Sequence, residues 1–316
     1  MHNSYTKNSD FISLTNKLFL VLTLTSSYQT AQAQELDPRS YINIPIEQNF
    51  LGLVYAYTDG DIHTSPDVPI EDLTLRVDGP SLGYVRTFSM FGNSAKFDAS
   101  VGHACTSGKA IFEGDNVSRS FCGITDARMR LNYNFYGAPA LKLKDYASYT
   151  KGVVAGASLQ LSMPTGEYDT DYVFNIGSNR WFVKPEIGIS IPMNKWNLPK
   201  WEIDFSLGGK FFSDNNEFKK TSNLKQDPIY NLQMHLIYDI SPGHWISLNT
   251  NYFQGGETYL DGVKSSITRG NERAGLTYSY AFNSQHSLKL LANTGVTTRL
   301  GNDSDAYGLG WAYRWQ

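Results

Sequence analysis

Lys96, Asp98, Arg128, Arg130, Lys184, Glu186, Asp204, Lys210, Arg273, Lys289, Arg299 and Arg314, with His235 beside them, share one habit. Each sits at an alternate position in a stretch whose intervening residues are apolar, as Arg128 and Arg130 flank Met129 and precede Leu131. A period of two puts successive side chains on opposite faces of a strand. These charges therefore share the face that the apolar residues leave. Cations outnumber anions in the set, so an anion-favouring constriction is one outcome. The favoured reading for any single residue is pairing into salt-bridge ladders between neighbouring strands. As a set they argue for water on that side.

Other reactive side chains are few. Cys105 and Cys122 are the only cysteines and bracket one polar stretch. In an oxidising compartment a structural disulfide is favoured over a metal or nucleophilic role, because the local spacing matches no metal motif. Closing a loop of that size contributes on the order of 3 kcal/mol in the chain-entropy picture. Nucleophilic catalysis needs a positioned nucleophile, base and orienting group. The chain holds neither G-x-S-x-G nor H-E-x-x-H, and His63, His103, His235, His244 and His286 are scattered. The acidic run "GEYDTDY", Gly166–Tyr172, offers Asp169 and Asp171 to a divalent cation but lacks EF-hand spacing, and reads as a solvated loop. No cofactor or metal is expected.

The elements that must position these residues are strands. The closing stretch "YGLGWAYRWQ" puts Tyr307, Leu309, Trp311, Tyr313 and Trp315 on one face and Gly308, Gly310, Ala312, Arg314 and Gln316 on the other. Similar alternation runs through 49–58, 128–135, 180–189, 203–208, 230–239, 246–252, 276–282 and 288–296. With the stretches near 73–88, 95–105 and 152–163 this makes about twelve strands, each expected to span roughly 9 to 15 residues. Around Gly79-Pro80 the period slips, which reads as a bulge or kink in a long second strand. Tight turns (89–94, 240–243, 283–285) alternate with long polar connections (59–69, 106–121, 164–178, 213–227, 254–265), as in outer-membrane barrels. The connection containing "GAPALKLKDY" is expected to hold a short helical turn.

Composition agrees with strands: 14% of residues are aromatic, 20 of them Tyr, and only 18% are charged. Lys7 and Lys17 precede the apolar Leu18–Thr25, and Ala31-Gln-Ala33 supplies small residues for cleavage, so residues 1–33 read as an export signal. No later segment approaches the roughly 18 to 20 consecutive apolar residues of a transmembrane helix. A membrane protein of this kind must be a closed barrel, since every backbone N–H and C=O in hydrocarbon needs an internal partner. The expected organisation is a signal peptide (1–33), a periplasmic N-terminal segment (34–47) and an all-β, closed antiparallel transmembrane barrel of about twelve strands (48–316). The aromatic face then meets lipid, and Tyr and Trp near strand ends mark the membrane–water boundary. The sequence pI of about 6.1 points to no nucleic-acid partner. Expected partners are outer-membrane lipid, a small-molecule solute, and the barrel-assembly machinery, engaged through the last strand.

"RSYINIPIEQNFLGLVYAY", "SLGYVRTF", "YGAPAL", "VGASLQLSMPTGEYD", "NRWFVKPEIGIS", "QDPIYNLQMHLIY", "NTGV" (Asn293–Val296) and "GNDSDAYGLGWAYRW" together resemble the MetA-pathway phenol-degradation family over Arg39 to Trp315. The resemblance implies a bacterial outer-membrane barrel, labelled a transporter, associated with aromatic compounds. It carries no defined active-site residues to transfer. The expected function is a channel or transporter passing small molecules, including aromatic or hydrophobic ones, through a polar lumen. The alternatives are a barrel enzyme of the lipase or protease type, and a structural or adhesive barrel without transport.

Overall fold

A computed structural model describes residues 38–63, 70–112, 115–172, 175–264, 268–298 and 301–316. Its strands are β1 (Asn49–His63), β2 (Ile70–Met90), β3 (Asn93–Phe112), β4 (Asp115–Ile124), β5 (Arg128–Tyr136), β6 (Val154–Ser162), β7 (Phe182–Pro192), β8 (Trp201–Phe212) and β9 (Asn215–Phe218). There follow β10 (Ser222–Gln226), β11 (Ile229–Ser241), β12 (His244–Gly255), β13 (Thr258–Leu260), β14 (Val263–Lys264), β15 (Arg269–Ala281), β16 (His286–Thr297) and β17 (Gly301–Trp315). One turn of helix, α1 (Leu143–Tyr146), occupies the connection where it was expected.

Among the described residues twelve strands close a single antiparallel barrel in the order β1-β2-β3-β5-β6-β7-β8-β11-β12-β15-β16-β17. The seam runs from Asn49 opposite Trp315 to His63 opposite Gly301, so both ends of the barrel sequence lie at one rim. That rim also carries the tight turns. Phe91 and Gly92 both have positive φ (48° and 82°), the geometry of a two-residue hairpin matched to strand twist. The opposite rim carries the long connections, two of which form a separate small sheet in the order β14-β13-β10-β9.

The alternation predicted for the walls is realised in the burial. Leu53, Leu82, Leu207, Leu232, Leu248 and Leu309 are each about half exposed on the outer face, while Asn132, Gln233, His235, Asn249 and Thr277 are 1–2% exposed on the inner one. A soluble protein would reverse these faces. The inversion is what a lipid exterior requires.

Two strands exceed the expected length. β2 and β3 contain 21 and 20 residues, about 65 Å of strand. They therefore project beyond the hydrocarbon at the long-loop rim. The slip read near Gly79-Pro80 is not a bulge. Asp78 opposite Cys105 and Ser81 opposite Gly102 keep one register, with pairing to β3 broken between them, where Pro80 has no N–H to give; the register of this strand pair shifts elsewhere, between Glu71 and Thr74. The same odd-numbered residues point inward throughout. Their chemistry changes because Val77 packs on Ala104 and on Ile176 from the β6–β7 connection, forming a small apolar cluster above the membrane.

The described residues of 106–121 form the two paired strands of a hairpin rather than a loop. β3 pairs with β5 through Ala95–Ser100 and with β4 through His103–Phe112. Cys105 and Cys122 lie directly opposite across that hairpin and are joined by a disulfide.

Charging the outer face tests its assignment. Leu309→Arg places a cation against hydrocarbon at a cost of roughly 2–4 kcal/mol at the midplane, whereas Ala312→Ser changes the inner face. Outer-membrane levels are expected to fall sharply for the first and hold for the second. Equal levels of the two would mean that the faces are the other way round.

Candidate functional site

The inner face is mostly occupied. Residues 38–48 precede β1, and instead of extending outside the barrel they run into it from the short-turn rim. The described part of the expected periplasmic segment is thus enclosed by the wall. Arg39 anchors it: its backbone N–H donates to Asp204 Oδ2 (2.8 Å), and its Nη2 donates to Asp239 Oδ1 (2.6 Å). Its Nε lies 3.3 Å from Glu202 Oε1, and its guanidinium stacks over Trp245. Burial alone would lower the Arg39 pKa, but Glu202 and Asp239 together hold it above its ordinary value.

Tyr41 reaches the neighbouring strands β6 and β7. Its hydroxyl donates to Glu186 Oε1 (3.0 Å) and lies 3.1 Å from Ser158 Oγ. Gly156 and Gly188, direct partners on β6 and β7, create the notch for its ring, since a Cβ on either would collide with it. The segment's backbone is bonded all along. Asn134 donates to the Ile42 carbonyl, Tyr146 to that of Asn43, and Ile46 N–H to that of Leu141. Thr87 closes the far end through Pro45 and Gln48. Burial raises the Tyr146 pKa, so its hydroxyl stays protonated and donating. Beneath the segment a cavity of about 560 Å³ opens between Arg39, Tyr146, Tyr149, Lys151, Glu202 and Asp239.

The long-loop rim is also covered. Asp126, 2% exposed, accepts hydrogen bonds from Gly166 N–H, Ser178 N–H and Ser178 Oγ. This staples the β6–β7 connection across the mouth, and Ile176 is pressed inward beside Val77. Asp171, in the acidic run, pairs with Lys220 at 2.7 Å in a solvated loop.

Most of the charges picked out by alternation do lie on the inner face. Arg130 pairs with Asp98 across β5 and β3 (3.0 Å), as a ladder between strands requires, whereas Lys184 pairs with Glu186 along β7 itself (3.0 Å). Asp204 holds the Arg39 backbone. Lys210 and Arg128 approach the Phe182 ring from 4.5 and 5.9 Å, and Lys96 is buried. His235 Nδ1 meets Asn249 Oδ1 (2.9 Å), continuing to Thr277. Lys289 approaches Trp245, and Arg314 is half-buried. Arg273 donates to Asn293 Oδ1 and the Ser304 carbonyl, with the charges of Asp303 and Asp305 near it. Arg299 lies outside the described residues. Among the described residues no three His, Cys, Asp or Glu side chains are grouped to hold a metal ion.

The model of the family described as "Putative MetA-pathway of phenol degradation" matches residues 71–309. The chain belongs to this family. No curated protein sequence matches it. Among solved structures, this phenol-degradation family member is similar to an outer membrane channel from Pseudomonas putida F1. There the TM-score is 0.70 and the identity 19%, covering 89% of this chain and 100% of that one. It is also similar to the transport unit of the autotransporter AIDA-I from Escherichia coli, with TM-score 0.55 and 11% identity over 96% of each chain. Both likenesses are of fold, that of an outer-membrane barrel.

Arg39, Tyr41, Glu202, Asp239, Asp126 and the Gly156–Gly188 notch escaped the sequence reading of this family member. Glu202 and Asp239 do alternate in phase with Asp204 and His235, a signal that reaches to the strand ends.

Removing one member of a buried ion cluster leaves the others uncompensated, a cost of about 3–5 kcal/mol. Arg39→Ala is therefore expected to unseat residues 38–48 and raise single-channel conductance of the refolded barrel. An unchanged conductance would show that Arg39 does not hold the segment in place.

Proposed function

We propose that this barrel is an outer-membrane channel for small hydrophobic or aromatic molecules. The observation that carries the reading is the two-sided interior. One contiguous part of the wall, β16-β17-β1-β2, gathers the small and apolar inward side chains Leu291, Gly308, Gly310, Ala312, Val54 and Val85, with Lys289 and Arg314 among them toward the short-turn rim. The rest presents hydrogen-bonding residues such as Asn132, Gln160, Gln233 and Asn251. A ring with one polar substituent finds both of its chemistries in such a space.

The family's description and the fold shared with a bacterial channel support the same reading. The seated N-terminal segment supports selective rather than open diffusion, because it runs from carboxylates on β8 and β11 to Thr87 on β2, on the far side of the ring. The reading assigns no catalytic step to the chain. It assigns the last strand to the barrel-assembly machinery, with Tyr307, Leu309 and Trp311 as the recognised outer face.

Cells whose outer membrane carries the protein are expected to take up phenol several-fold faster than cells lacking it. Gly310→Leu fills the space facing Val54, whose Cγ2 would lie 3.3 Å from the added Cβ, and should slow uptake without lowering barrel levels. Identical uptake with and without the protein would overturn the reading.

A further inference from the structure

The connection over residues 137–153 departs from the other turns of its rim. β11 and β12 are joined by Pro242 and Gly243 alone, and β5 and β6 are just as directly paired. The extra chain is not needed to reach the next strand. It folds back against the seated segment, where the Leu141 carbonyl accepts from Ile46 N–H and the Tyr146 hydroxyl donates to the Asn43 carbonyl.

This connection lines the cavity of about 560 Å³ with two rings. Tyr146 and Tyr149 lie 5.2 Å apart, centre to centre. Their hydroxyls are already engaged, by the carbonyls of Asn43 (2.8 Å) and Gly137 (2.9 Å). What they add to the lining is therefore aromatic surface, which Val154 and Pro192 extend. A dry cavity of roughly 150 Å³ takes up benzene, so the space admits an aromatic molecule, and rings pack well on rings at such separations.

The polar part of the lining narrows the class. Lys151 Nζ donates to Asp239 Oδ2 (3.0 Å), and the two side chains are 48% and 30% exposed. Glu202 Oε2 is 3.9 Å from the same ammonium, too far for a hydrogen bond, so Lys151 keeps donors to offer. Each Asp239 oxygen accepts one hydrogen bond, from Arg39 or from Lys151, and keeps a lone pair. A hydroxyl can answer both groups at once, donating to the carboxylate and accepting from the ammonium. An ether can only accept. Arg39, Lys151 and Lys200 stand against Glu202, Asp239 and Asp204, three cations against three carboxylates, so no net charge remains to recruit an ion.

We propose that this vestibule at the short-turn rim is a binding site for neutral hydroxylated aromatics, walled by Tyr146 and Tyr149, with Lys151 and Asp239 recognising the hydroxyl. The proposal rests on the channel reading for its solute class. It adds a second station on the periplasmic side, apart from the small and apolar wall around Gly310.

Fluorine NMR relaxation of 4-fluorophenol, 4-fluoroanisole and 4-fluorobenzoate, with the full barrel in nanodiscs and empty nanodiscs as reference, tests this. The fluorophenol is expected to bind about tenfold tighter than either of the others, the scale of one hydrogen bond to a charged group. Lys151→Met should remove most of that preference and Lys151→Arg should retain part of it. Tyr149→Leu should weaken fluorophenol and fluoroanisole alike. Folding of each variant is checked by heat-modifiable migration, and the comparison of ligands on the wild-type protein needs no variant to fold. Equal affinities there, an absence of fluorophenol binding, or a full preference in a folded Lys151→Met barrel would overturn the proposal. Phenol uptake separates the two readings. Uptake without a hydroxyl preference in binding keeps the channel and removes the site. Lys151-dependent binding without uptake keeps the site and removes the channel.

Discussion

Hydrocarbon offers no partner to a peptide N–H or C=O, and most of this architecture follows from that. An unpaired backbone group there costs several kcal/mol, so the twelve strands must join into a ring without an edge. Once the seam between β1 and β17 is formed, parity is fixed along every strand. Leu309 faces out because Gly310 faces in, and a slip of one residue would turn both faces over. The interruption at Gly79-Pro80 falls where β2 and β3 rise toward the long-loop rim, and β1 still pairs with both residues. There β3 exchanges β5 for β4 as its neighbour and a covalent bridge secures the hairpin.

Parity then creates the interior's own problem, because polar side chains sent inward lose bulk water. The barrel answers with partners. Glu202 and Asp204 point the same way from one strand, two residues apart, and two neighbouring carboxylates would repel. Arg39 sits between them and Asp239, and Tyr41 does similar service for Glu186, which already holds Lys184. The N-terminal segment is therefore a structural part of the lumen wall's charge balance as well as an obstruction. Arg273 donates to neutral oxygens, with the charges of Asp303 and Asp305 near it.

The walls were legible in the sequence for a physical reason. Lipid makes the outer face uniformly apolar, so stretches such as Met129–Phe135 and Tyr307–Trp315 declare their period without help from tertiary context. The pairs Arg130–Asp98, between β5 and β3, and Lys184–Glu186, along β7, lie on the face that the same period assigns. What could not be read depends on register and on long-range meeting. Gly156 and Gly188 look like ordinary small residues until their strands are aligned, and only then do they form a notch for Tyr41. Arg39 lies 165 positions from Asp204, beyond any local signal. β2 misled because its inward residues change from polar to apolar above the membrane, which imitates a break in period. The stretch around Cys105 and Cys122 read as a loop because, outside lipid, a strand has no reason to keep an apolar outer face.

The seating of residues 38–48 has a consequence for the order of assembly. These residues precede every strand, yet their partners Glu186, Glu202 and Asp204 arise well over a hundred positions later. Contacts of such separation form late, since chain closure must come before they reward it. Until then Glu202 and Asp204 on β8 lack the Arg39 charge on what will become the concave side. The leading segment is therefore the last-fitting piece of the interior, and the chain supplies in cis a counterion for its own middle strands.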